Sequence, residues 1–125
     1  MYIIDTHAFL WYLRDSDELS EKAHKIIDDE NQIFVSIASL WEIAIKHSIG
    51  KLHLEFSIVQ IENLCAEKDI SILPIKASHL DVLEKLPNHH NDPFDRLIIC
   101  QASIENLIIL TRDTIIPKYP VQTVW

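Results

Sequence analysis

The sequence has one glycine in 125 residues. With only five prolines and two cysteines besides, it leaves little room for linkers, low-complexity tracts or a disulfide framework. The shortage predicts one compact domain over residues 1–125, a length that buries a core without staples. Cys65 and Cys100 have no Cys or His at zinc-ligand spacing and read as reduced core thiols. No apolar run reaches the roughly 18 residues of a membrane span. The opening MYIIDTHAFLWYL is apolar, but it lacks a basic start and carries Asp5 and His7, so it does not read as a signal peptide. These absences point to the cytoplasm and to no membrane partner.

Positive charge is also scarce: 11 Lys and Arg stand against 19 Asp and Glu, a formal net charge of −8. That balance opposes general attraction to nucleic acid. It remains compatible with phosphodiester chemistry where the acids hold metal ions, which reverse the local field.

What the chain does contain is an alternation of short apolar runs and amphipathic stretches. Residues 2–4, 32–35, 70–73 and 107–110 read as strands, with a last strand around 121–124. Helical patterns occupy 7–13, 19–29, 37–47, 57–68, 77–86 and 93–105, with Ser20 an N-cap and Pro87 a stop. In the 37–47 helix, Ile37, Leu40, Trp41, Ala44 and Ile45 fall at the spacing of one buried face, and Gly50 follows as a left-handed cap. Strands alternating with helices predict an α/β fold, a parallel sheet covered on both faces. There is no internal repeat.

Ligands of such a sheet bind beyond the carboxyl ends of the strands. Asp5 directly follows the first strand, and Asp113 follows the fourth by three residues. Glu42 lies two helical turns past the second strand, and Asp92 and Asp95 open the 93–105 helix. Each also has a local reading. Asp5 suits an N-cap, Asp92 before Pro93 an N-cap with proline at N1, and Asp95 an N3 acid favouring the helix dipole. Glu42 suits an i, i+4 pair with Lys46, and Asp113 an ordinary turn. Their convergence on one edge carries the functional argument.

Carboxylates gathered within about 4 Å repel by up to ~4 kcal/mol per pair at an effective dielectric near 20, so something must neutralise them. Oxygen-only ligands favour Mg²⁺ or Mn²⁺, and His89-His90 lack zinc spacing. A carboxylate cup of this kind suits phosphodiester hydrolysis, where the ion activates a water and stabilises the attacking and leaving oxygens.

Four ordered blocks, IIDTHAFLW, VSIASLWEIAIK, DPFDRLIICQA and LTRDTIIPKY, span nearly the whole chain. In these blocks the chain resembles the PIN-domain ribonucleases, especially the VapC-like toxins of bacterial toxin–antitoxin pairs. The resemblance implies a PIN-like three-layer α/β/α sandwich with a mostly parallel sheet. It assigns Asp5, Glu42, Asp95 and Asp113 to catalysis and to Mg²⁺ or Mn²⁺. Thr6, Ser36, Ser39 and Thr111 take small polar positions beside them, with Asp92 as support; plain capping explains Ser36 and Ser39 equally well. Family members that bind RNA often carry a more basic surface. Here Arg14, Lys46, Arg96, Arg112 and Lys118 lie near the blocks, and Lys46, Arg96 and Arg112 are the candidates for phosphate contact.

The implied activity is a metal-dependent endoribonuclease toxin acting on a tRNA or rRNA loop, with a small antitoxin partner and a homodimer formed through helices. Apolar residues of AFLWYL and of the second helix are candidates both for antitoxin docking and for the core. One alternative is a catalytically inactive PIN-like protein-binding module whose acids only cap helices. Another is a receiver-like phosphoacceptor. The latter needs paired acids after the first strand and an acid after the third, yet strand one offers Asp5 alone and strand three ends in Leu73-Pro74.

Overall fold

The computed structural model describes residues 1–30 and 32–125. Strand β1 (Tyr2–Ile4) leads into helix α1 (Thr6–Leu13) and then α2 (Glu21–Asp29). Strand β2 (Ile33–Ser36) runs directly into α3 (Ile37–Ser48), followed by α4 (Ile58–Glu67) and β3 (Ile70–Leu73). After α5 (Ala77–Lys85) and α6 (Pro93–Glu105) come β4 (Ile108–Leu110), a 3-10 turn (Ile116–Lys118) and β5 (Thr123–Val124).

The helix starts follow the capping chemistry of the sequence. Ser20 accepts from Ala23 N at the head of α2, and Ser57 forms a capping box with Gln60 at the head of α4. Asp92 caps α6 with Pro93 in the first turn, and Asn106 closes that helix in the left-handed region at φ 56°. Gly50 at φ 75° sits just past the end of α3, where a side chain would strain the backbone.

All neighbouring strands pair in parallel, in the order β3-β2-β1-β4-β5. Tyr2 lies opposite Ile33 and Ile108, and Ile4 opposite Val35 and Leu110. Successive residues face opposite sides of a sheet, so each strand feeds two cores. Ile4, Val35 and Leu110 pack with Phe9, Ile27 and Ile61 on one side. Ile3 and Ile109 pack with Ile98, Ile99 and Ile116 on the other. The result is a three-layer α/β/α sandwich. On α5, the fully buried His79 accepts from Lys76 N at Nδ1 (2.9 Å) and meets Glu105 Oε2 at 2.8 Å, which ties α5 to α6.

Helix α3 departs from the expectation drawn from its periodicity. Ile37, Trp41 and Ile45 were expected inside, yet they are exposed by 39%, 55% and 38%. The buried residues are Ala38, Ser39, Leu40, Glu42 and Ile43. Apolar residues run almost all the way round this helix, so spacing alone could not select the face. The neighbouring elements chose the side that carries Glu42. The apolar letters of AFLWYL go largely to the core, with Ala8, Phe9 and Leu10 buried.

This strand order positions the site. The chain leaves β1 towards β2 and β3, then returns to pair β4 on the other side of β1. A crevice opens where the direction reverses, beyond the carboxyl ends of β1 and β4. Asp5 and Thr111 are the first residues past those two ends.

Candidate active site

Asp5 reaches the crevice because β1 stops there and α1 begins. Its Oδ1 accepts from Ala8 N at 2.9 Å, so the carboxylate caps α1, and its Oδ2 accepts from the Thr111 hydroxyl. Burial raises the Asp5 pKa, opposed by the hydrogen bonds of Thr111 and Ala8. Thr111 also accepts from Asp113 N at 3.0 Å, so one threonine links the ends of β1 and β4 to the turn after β4. Asp113 Oδ1 in turn accepts from Ile115 N (2.6 Å) and Ile116 N (3.1 Å), heading the 3-10 turn.

Glu42 is buried on the inner face of α3, and its Oε2 meets Lys46 Nζ at 2.6 Å. The anticipated i, i+4 pair therefore exists, with the lysine half exposed and the carboxylate inside. Asp92 Oδ1 accepts from both Phe94 N and Asp95 N at 2.9 Å, the N-cap geometry that Asp-Pro foretold. Ser36 caps α3 by accepting from Ala38 N at 3.0 Å. Thr6 and Ser39 share a buried hydrogen bond of 2.8 Å that joins α1 to α3.

Asp95 differs from the rest. It is buried at N3 of α6, and no hydrogen bond reaches its carboxylate among the described residues. Burial pushes its pKa up to about 8, reinforced by Asp92, Asp5, Asp113 and Glu42 in that order. Asp95 thus senses the charge of the other three candidate acids. A cleft of about 220 Å³ opens beside Asp5 and Asp113, lined by these two with His7, Trp11 and Arg112.

The candidate phosphate contacts are engaged within the fold. Arg96 donates to the carbonyls of Pro87 (2.8 Å) and Leu86 (3.2 Å) and to the Tyr119 hydroxyl. Arg112 pairs with Glu18 at 2.5 Å and lies over the Trp11 ring at 4.4 Å. Lys46 holds Glu42.

The PIN-domain sequence profile matches residues 2–122. The chain belongs to the PIN-domain family. No curated protein matches it in sequence. Among solved structures it is similar to VapBC2 from Rickettsia felis bound to a promoter DNA fragment. There identity is 14%, coverage 98% of this chain and 96% of that one, and the TM-score 0.73. It is also similar to a toxin–antitoxin complex from Klebsiella pneumoniae (15% identity, 100% and 97% coverage, TM-score 0.69). FitAcB from Neisseria gonorrhoeae gives 16% identity, 100% and 97% coverage and a TM-score of 0.69. At these identities the likeness is one of fold.

The PIN fold brings a further group to the site that sequence reasoning missed. The Tyr119 hydroxyl receives His89 N (3.1 Å), His90 N (3.2 Å) and Arg96 Nη1 (3.2 Å), and it lies 2.9 Å from His90 Nδ1. With its oxygen occupied by donors, its own hydrogen goes to Nδ1, which leaves the ring proton on Nε2. That Nε2–H is buried without a partner and stands 3.7 Å from Asp95 Oδ2, too far for a hydrogen bond. Zinc spacing had dismissed His90 as a ligand, and nothing in the sequence marked it as a donor. His7 and Trp11 carried a better signal: they sit i, i+4 on the helix that Asp5 caps.

The PIN family implies a divalent cation, and the donor chemistry fits one. The acids offer hard oxygen only, and the nearest ring nitrogen to Asp95, His90 Nε2, stands beyond hydrogen-bond reach at 3.7 Å. As they stand, however, no three described His, Cys, Asp or Glu side chains gather closely enough to hold an ion together. Asp5, Glu42 and Asp113 are each drawn to a local partner.

Proposed function

We propose that this PIN-domain protein is an endoribonuclease toxin that works with Mg²⁺ or Mn²⁺ and is held in check by a cognate antitoxin. The observation that carries the reading is Asp95: a buried carboxyl without a donor, pushed up to about 8 by its burial and by the surrounding acids. A carboxyl shifted this far by burial and by the acids around it is the kind of group that functional sites collect.

Asp5, Glu42, Asp95 and Asp113 are the residues that would hold the cation. When bound, such an ion lowers the pKa of water and neutralises charge at a reacting phosphate. The remaining tasks belong to the chain. Thr111 fixes the orientation of Asp5, and the Thr6–Ser39 bond keeps α1 against α3, so that Asp5 and Glu42 keep their spacing. Asp92 sets the first turn of α6 and thereby the direction of Asp95. The cleft beside Asp5 and Asp113 gives a substrate strand a place to lie.

An antitoxin partner is supported by the complexes that share this fold, which include a toxin–antitoxin pair from Klebsiella pneumoniae. The row Ile37, Trp41 and Ile45 on α3 supports a protein contact, either between two copies of the chain or with the antitoxin. No helix among the described residues is long and apolar enough to cross a membrane.

The test is cleavage of bulk RNA by purified protein, freed of antitoxin, with Mg²⁺, Mn²⁺ or EDTA, beside Asp5→Asn and Asp95→Asn. The proposal expects discrete fragments that require the cation and vanish in both variants. Intact RNA under every condition would leave a protein-binding module as the better reading.

A further inference from the structure

The cleft at the switch point is lined by two kinds of side chain. Asp5 and Asp113 line it as acids, and His7, Trp11 and Arg112 as rings and a guanidinium. The aromatic and guanidinium groups pack on one another. The Arg112 guanidinium lies 4.4 Å from the Trp11 ring centre, and Trp125 meets the same indole edge-on at 5.8 Å and 66°. His7 sits one helical turn before Trp11, its ring centre 6.0 Å away at 31°. Trp11 is only partly buried, with one side packed on the core and the rest on the cleft.

The topology makes this adjacency obligatory. Asp5 caps α1, so a residue one or two turns into α1 stays beside it. Arg112 and Asp113 are consecutive after β4, so the cation that covers Trp11 is next in sequence to an acid of the same cleft. An aromatic and guanidinium surface therefore lies next to two of the carboxylates proposed to hold the cation.

We infer that the Trp11–Arg112 wall is a nucleobase subsite, on which a base of single-stranded RNA next to the scissile phosphate stacks. The inference rests on the ribonuclease reading above. The charge of the chain supports it. At −8, the protein gains little from counterion release. Lys46, Arg96 and Arg112, the candidate phosphate contacts, are already bound to Glu42, backbone carbonyls and Glu18. Affinity must then come from a contact that does not depend on net charge. Stacking on indole and guanidinium faces supplies one, tolerates any base, and requires the base to be unpaired. The account thus gives the substrate class, an exposed single strand, and a shallow salt dependence.

The experiment uses short single-stranded RNA carrying 2-aminopurine at successive positions, with the full-length protein. Binding is followed by 2-aminopurine fluorescence on the Asp95→Asn background, and cleavage kinetics on the otherwise native chain. The subsite predicts quenching at one position. It also predicts about tenfold weaker binding and a correspondingly higher KM in Trp11→Ala, with kcat little changed. Trp11→Phe should recover most of the loss, and Arg112→Ala, which leaves the core untouched, should weaken binding in the same direction. Affinity should change only a few-fold between 50 and 200 mM salt. Native-like quenching and KM in folded Trp11→Ala and Arg112→Ala would overturn the subsite while leaving the ribonuclease standing. Absence of any RNA cleavage by the native chain would remove both.

Discussion

The Thr111 hydroxyl donates to the Asp5 carboxylate across the junction of β4 and β1, joining residues 106 positions apart in sequence. The same oxygen accepts from Asp113 N, so one side chain sets the distance between two of the candidate ligands. Replacing Thr111 with valine keeps the shape but removes both hydrogen bonds. We expect a stability loss of about 1–3 kcal/mol, the usual penalty for buried polar groups left unpaired. Urea unfolding should show a lower midpoint at unchanged slope, and Thr111→Ser should restore most of it. An unaltered midpoint in Thr111→Val would mean that the bond is dispensable.

Asp95 sets the pH response. Its pKa in the fold, about 8, lies above the ordinary 3.8. Between those values the native state keeps a proton that the unfolded chain has released. The stability linked to Asp95 is therefore complete below pH 3.8 and disappears as pH rises through about 8. In the absence of divalent cations, unfolding curves across this window should decline more steeply for the native chain than for Asp95→Asn. Parallel pH profiles for the two proteins would contradict the burial argument.

Helix α3 offers a direct check of which face is inside. Leu40 is 3% exposed, and its truncation to alanine should cost roughly 2–5 kcal/mol. Trp41 is 55% exposed and meets Phe94 edge-on at 5.2 Å. Trp41→Ala should therefore cost roughly 0.5–1.5 kcal/mol, measured at a protein concentration low enough to exclude self-association. The reverse order of costs would restore the face suggested by spacing.

Tyr119 holds His90 in one tautomer. Nitrogen chemical shifts of the imidazole should show the proton on Nε2 in the native chain and a mixture in Tyr119→Phe. The variant should also lose about 1–3 kcal/mol, because His89 N, His90 N and Arg96 lose their acceptor. A native imidazole protonated on Nδ1 would refute the assignment.

The sequence made some of this legible and hid the rest for physical reasons. Helix α6 was read to the residue, because Asp92 and Pro93 encode its start and Asn106 stops it locally. The convergence of Asp5 and Asp113 was readable because parallel strands bring all their carboxyl ends to one edge. The inner face of α3 was not, since Ile37, Leu40, Trp41, Ile43 and Ile45 satisfy more than one apolar stripe. Tyr119 and His90 stand 29 residues apart, joined by side-chain hydrogen bonds that no local pattern encodes. The local roles weighed for the acids also hold, since Asp5, Asp92 and Asp113 all cap the turns that follow them. Capping fixes where those three sit, Glu42 pairs with Lys46, and Asp95 takes the N3 position weighed for it without a hydrogen bond to its carboxylate.

The central claim is that these carboxylates await a divalent cation, and calorimetric titration with Mn²⁺ tests it most directly. The native chain at pH 7 should bind Mn²⁺ and release protons, shown by a heat that varies with buffer ionisation enthalpy, because a carboxyl raised to about 8 must ionise to become a ligand. Asp95→Asn should lose both the binding and the proton release. No Mn²⁺ binding by the native chain, or binding unchanged in Asp5→Asn and Asp95→Asn, would contradict the account.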